Sequence, residues 1–237
     1  MKSILYDRSF RINDDIQIRI PTVGEVFDHE EEYYEAVCSV ISTPTDLMVQ
    51  LEDAGIDFTK INDFELFCLT FPKLQEMDTT LLFGDLDFKG YRVAINKATG
   101  EPVLRNPETG SNIDVLIHHQ MASFFRKILF LEKNELRPAN EEAKKYLLYR
   151  ARKKLKRAAR RRVQKSVLEE YIVALVNCEK FKYDFTTVRD LTIYQFYLSL
   201  QEVAHRIRFD NTMIGCYAGT IKSDDLSKED RTWIMKI

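Results

Sequence analysis

Eight glycines and six prolines in 237 residues leave the chain few ways to interrupt regular structure. That scarcity favours long elements joined by short connections. It also leaves few places for a loop that cradles phosphate. No GxGxxG, P-loop, GxSxG or HExxH pattern occurs, and no zinc-ligand spacing. Apolar runs are short: none approaches the roughly 18 residues needed to span a bilayer, so no membrane association is expected. Cys38, Cys68, Cys178 and Cys216 stand far apart with no CxxC among them. Structural disulfides are therefore not expected, and buried, reduced thiols in a cytosolic protein are. The charged stretch from Met1 to Phe10 does not read as a signal peptide. The cytoplasm is the expected location.

What the chain has in quantity is apolar residues, at 45%, and helix-favouring Lys, Glu, Leu and Ala. A folded core follows. The formal net charge of −2 conceals an asymmetry. Between Lys144 and Lys165 there are 12 Lys or Arg and no acid, leaving 23 basic against 37 acidic residues elsewhere. The first 65 residues alone carry 15 acidic and 5 basic side chains. The molecule reads as an acidic body with one concentrated basic element.

Alternation over Ile16-Gln17-Ile18-Arg19-Ile20 predicts a half-buried strand. Pro21 ends it, and Thr22 followed by Glu25 makes a capping box for a helix expected to reach Ile41. Pro44-Thr45-Asp46 opens a shorter helix stopping at Gly55, and Asn62-Asp63 caps another around Leu66 to Phe71. Tyr91 to Asn96, the turn at Lys97 to Gly100, and Val103-Leu104 read as a hairpin. Asn106 to Gly110 is a further turn, and Ile16–Ile20 is a candidate extra strand for this sheet. Helices resume near Asp114. Pro138-Ala139-Asn140 opens what reads as the longest helix, to about Asn177. Ile193, Phe196, Tyr197, Leu200, Val203, Ala204 and Ile207 form one apolar face after Thr192. Ser227 and Asp230 cap a short C-terminal helix carrying Trp233, with Gly215 and Gly219 in a flexible lead-in. The expected class is mainly α with a small β element (α+β), a helical bundle plus a β-hairpin or short antiparallel sheet. The regions are 1–80, strand and acidic helices; 81–113, hairpin; and 114–237, helices including the basic one.

Candidate chemistry is sparse. His118 and His119 are adjacent, and on a helix they point about 100° apart, which suits one packed and one solvated imidazole better than a shared metal. Asp85 and Asp87 would share a face if the segment were a strand, where a divalent cation of a nuclease could bind; solvated charges on a turn are the plainer alternative. No cofactor or metal is expected, and no enzyme.

The basic helix stands out. Lys145, Arg150, Lys153, Lys154, Arg157, Arg160, Arg161 and Arg162 are candidate contacts to an acidic protein or nucleic acid. Leu148, Ala151, Leu155, Ala159 and Val163 leave a narrow apolar stripe for packing. Such a density of like charge needs acidic neighbours or a polyanion to offset it; the acidic first 65 residues could do so within one chain or between copies. Tyr183, Phe185, Tyr194 and Tyr197 are candidates for a protein-partner surface, with core packing the alternative.

The strand followed by Pro21-Thr22-Val23-Gly24-Glu25 resembles the start of tail assembly chaperones of tailed phages. Val188-Arg189-Asp190-Leu191-Thr192-Ile193-Tyr194-Gln195-Phe196 and Gly215-Cys216-Tyr217-Ala218-Gly219-Thr220 resemble proteins of phage and prophage tail gene clusters. The resemblance implies a non-enzymatic assembly chaperone coating the tape measure protein, or a tail or baseplate structural protein, with tape measure, tail tube or baseplate proteins as partners. This chain differs in being longer and in carrying the hairpin and the basic helix. Nucleic acid remains a second class of partner, and homo-oligomerisation is left open.

Overall fold

A computed structural model describes residues 3–97, 100–160 and 166–235. Mainly helical structure with two small antiparallel sheets is what it shows. The chain divides into two compact units, Met1–Pro21 with His29–Ser166 and Thr22–Asp28 with Val167–Ile237.

In the first unit β1 (Ser9–Arg11) pairs antiparallel with β2 (Gln17–Arg19), Phe10 opposite Ile18. Ile18 has no exposed surface, as the alternation requires. Helices α2 (Glu30–Ile41), α3 (Met48–Asp53), α4 (Asp63–Glu76) and α5 (Thr80–Phe83) follow. The Asn62 carboxamide accepts from the Phe64 and Glu65 amides while the Glu65 carboxylate accepts from Asn62, a reciprocal capping box. A second sheet joins β3 (Arg92–Ile95), β4 (Pro102–Arg105) and β5 (Asn112–Ile113). The Ile16–Ile20 strand pairs with β1 and does not join this sheet. Asp114 then caps α6 (Val115–Leu129). Phe64, Phe67, Phe71, Phe83, Phe88, Tyr91 and Phe125 fill the core with edge-on and tilted ring contacts. The unit continues through α7 (Glu141–Arg160).

The second unit is assembled from distant segments: α1 (Val23–Asp28), α8 (Val167–Val176) and α9 (Ile193–Tyr217). Thr22 and Thr192 face each other in an antiparallel bridge, and the Val23 amide donates to the Leu191 carbonyl at 2.8 Å. Each threonine also caps the helix it precedes. The Thr22 hydroxyl accepts from Glu25 and the Thr192 hydroxyl from Gln195, both at 3.1 Å. Gly24 lets the backbones come close here: a Cβ would lie 3.2 Å from Arg189 Nε and 3.3 Å from its carbonyl oxygen, a tight fit that Arg189 would have to relieve by shifting a few tenths of an ångström. Arg189 Nη2 closes the junction on the Asp28 carboxylate at 2.7 Å.

Several expectations are corrected. The helix expected to run to Ile41 breaks at His29, and its two pieces belong to different units. The long basic helix does not continue to Asn177. Ser166 lies outside helical structure and α8 begins afresh at Val167. Gly215 lies within α9, which at 25 residues is the longest helix among the described residues. Ser227 and Asp230 do hydrogen-bond each other, but they cap a turn. The four thiols are free, but Cys38 is exposed and the others half-buried. No described helix is long and apolar enough to cross a membrane.

Candidate polyanion-binding helix

The Asn140 carboxamide caps α7 by accepting from the Ala143 amide at 2.8 Å. Glu141 and Glu142 occupy the first turn, where the helix dipole favours acids, and the cations follow toward the end where it favours them. Leu148 enters a cluster with Met48, Val49, Leu51, Phe58 and Leu66, flanked by Leu147 and Ala151. One side of α7 is thereby fixed on α3.

Two cations are settled by this packing. Lys144 lies 2.8 Å from Asp57 and over the Phe58 ring, and Arg152 lies 2.5 Å from Asp53. The hydrogen bond from Lys144 holds the Asp57 carboxyl far below the usual range, and the same bond raises Lys144. Lys145, Arg150, Lys153, Lys154, Lys156 and Arg157 are exposed and have no carboxylate partner among the described residues. Arg150 and Lys153 lie over the rings of Tyr146 and Tyr149, 5.8 and 6.0 Å from their centroids. Both tyrosines are themselves about three-fifths exposed. Arg160 closes the helix, but its side chain lies outside the described residues, as do Arg161, Arg162, Val163 and Lys165.

Residues 161–237 match the family model of the YomV second domain. This is a phage-derived family, so the match supports a phage-related protein over the C-terminal third of the chain. No curated protein and no solved structure matches the chain. The matched segment starts immediately after α7 and takes in α8, α9 and the aromatic stretch between them.

The four aromatic candidates in that segment are not brought to one surface. Tyr183 and Phe185 are 41% and 55% exposed, Tyr197 is half-buried, and Tyr194 is 5% exposed in the core. Ile193, Tyr194 and Phe196 are the first turn of α9, directly behind the Thr192 cap, which explains their burial.

His118 is buried, its Nε2 donating to the Val40 carbonyl at 3.0 Å and its ring stacked on Phe67. A carbonyl only accepts, so Nε2 carries the proton. Asp85 and Asp87 are exposed outside any strand, and the Asp87 carboxylate accepts from the Lys89 amide. Among the described residues no group of three or more His, Cys, Asp or Glu is placed to hold a metal.

Sequence reasoning located the cations but missed their division, among the described residues, into two neutralised and six without a carboxylate partner. Asp53, the last residue of α3, and Asp57, four residues on, were the available signal, but nothing local pairs Asp53 with Arg152, 99 positions away, or Asp57 with Lys144.

Proposed function

We propose that this phage-related chain is a non-enzymatic binding protein whose main contact element is α7, and that its partner there is nucleic acid. The observation that carries the reading is the set of six exposed cations on α7 that have no carboxylate partner among the described residues. Each phosphate neutralised by such a cation releases counterions, so binding weakens steeply with salt. The test is fluorescence anisotropy of labelled DNA with the full chain, titrated with salt from about 50 to 200 mM. A linear loss of log affinity with log salt is expected. The triple variant Lys153→Ala, Lys154→Ala, Arg157→Ala should reduce its slope by about three. Absence of binding at the lowest salt, or a slope that the variant leaves unchanged, removes the reading.

A second reading, assembly of a phage tail through protein contacts, draws support from Tyr183 and Phe185. Both are exposed within the family-matched segment, beside the Phe181–Tyr183 ring pair at 5.3 Å. Tape measure, tail tube or baseplate proteins would be the partners that the resemblance implies. Nuclease-treated affinity purification from phage-producing cells tests it. Partners should be retained by the wild-type chain and lost with Tyr183→Ala and Phe185→Ala.

A further inference from the structure

The distribution of charge around α7 contains more information than its amount. Every residue from Arg152 to Ala159 is exposed, including Leu155 at 45%. Apart from Arg152, which reaches the Asp53 carboxylate at 2.5 Å, the side chains of the last turns are exposed all round the helix, unlike the turns carrying Leu148 and Ala151. At about 100° per residue, Lys154 and Lys156 lie about 160° apart on opposite flanks of the helix, with Lys153, Arg157 and Arg150 on the arc between them. A partner that touches a single face, such as an acidic helix, reaches one flank and leaves the other in solvent. A partner with two negatively charged walls reaches both.

We propose that the outer turns of α7, Arg152 to Ala159, enter the major groove of B-form duplex DNA, with Lys154 and Lys156 each directed to the phosphates of one wall. This deepens the nucleic-acid reading above and rests on it. The dimensions agree: a helix with its side chains is about 10–12 Å across, and the groove is about 12 Å wide and 8.5 Å deep. Eight residues give about 12 Å of helix, enough to follow the groove over several base pairs. Lys153 and Arg157 sit at the centre of the charged arc and point toward the groove floor. The major groove of A-form RNA is too narrow for side chains to read, so duplex RNA is not a substitute. Single strands are bound mainly by stacking bases on open aromatic faces. Here Tyr146 and Tyr149 already carry Arg150 and Lys153 over their rings.

The experiment compares four labelled probes with the full chain at one salt concentration: a 20-base-pair DNA duplex, one of its single strands, the RNA duplex of the same sequence, and poly-glutamate. The DNA duplex should bind at least about tenfold more tightly than each of the others. Lys154→Ala and Lys156→Ala should each lower the salt slope on duplex DNA by about one, and together by about two. Both replace an exposed residue with a strong helix former, so the fold is retained. Equal binding of all three nucleic acids overturns groove insertion while leaving the nucleic-acid reading in place. So does a slope sensitive to only one of the two lysines. Tightest binding to poly-glutamate overturns both, in favour of an acidic protein partner.

Discussion

His118 sits in a core of aromatic rings, 3% exposed, and it matters through what it does not do, which is ionise. Burial lowers its pKa from the ordinary 6.5 to about 4, against the raising effects of the Val40 carbonyl and Asp63 and with Arg126 and His119 adding to the lowering. Between those two values the unfolded chain binds a proton that the folded chain refuses. Stability from this residue is thus complete above about pH 6.5 and falls as pH drops toward 4, by about 3 kcal/mol over the window. Urea midpoints measured from pH 7.5 to 4.5 should show this fall. His118→Gln, which can keep a donor toward Val40 without titrating, should flatten that part of the profile. An unchanged profile in the variant would assign the acid sensitivity elsewhere. That adjacent histidines on a helix point about 100° apart was reason enough to expect one packed and one solvated. Which of the two is packed depends on Phe64 and Phe67, fifty residues earlier, and no local pattern encodes that.

The helix α7 carries two leucines about two turns apart in the same apolar stripe whose environments differ. Leu148 is 8% exposed in the α3 cluster, whereas Leu155 is 45% exposed. Leu148→Ala should therefore cost about 2–3 kcal/mol, and Leu155→Ala less than about 0.5 kcal/mol. Thermal or denaturant unfolding of both variants checks this; equal costs would mean that the outer turns are packed. The stripe at i, i+3 and i+4 was fully legible, since it depends only on helical period. Where its burial stops was not, because that depends on how far α3 extends, and α3 ends at Asp53. The caps were legible for the same local reason as the stripe. Asn62, Asp114, Asn140 and Thr192 each satisfy amides within three residues of themselves. The break at His29 was missed because nothing in an acidic, helix-favouring run marks where two tertiary environments divide it.

At the scale of the molecule, the informative feature is that the second unit is discontinuous, taking residues 22–28 from near the start of the chain. Val23 has no exposed surface and its amide is bonded to Leu191. Val23→Ala should cost about 2 kcal/mol and speed hydrogen exchange in the first turns of α9 as well as around residue 23. Exchange that accelerates only near residue 23 would show that the bridge to Thr192 does not couple the two segments. Of the two capping boxes, Thr22 with Glu25 was read from the sequence; Thr192 with Gln195 was not, although it is equally local and readable. Their pairing was not legible, because it lies in the tertiary structure alone. The pairing also has a timetable. Asp28 and Arg189 are 161 residues apart, and a ribosome adding about 5–20 residues per second needs roughly ten to thirty seconds to make the second after the first. Once clear of the ribosome, the α1 segment spends the rest of that interval without the surface it is to cover. The order of synthesis thus makes the first-made part of this unit wait for the last, so a slow codon run late in the message would prolong the exposure of Val23 and Val26 rather than of anything near the C-terminus.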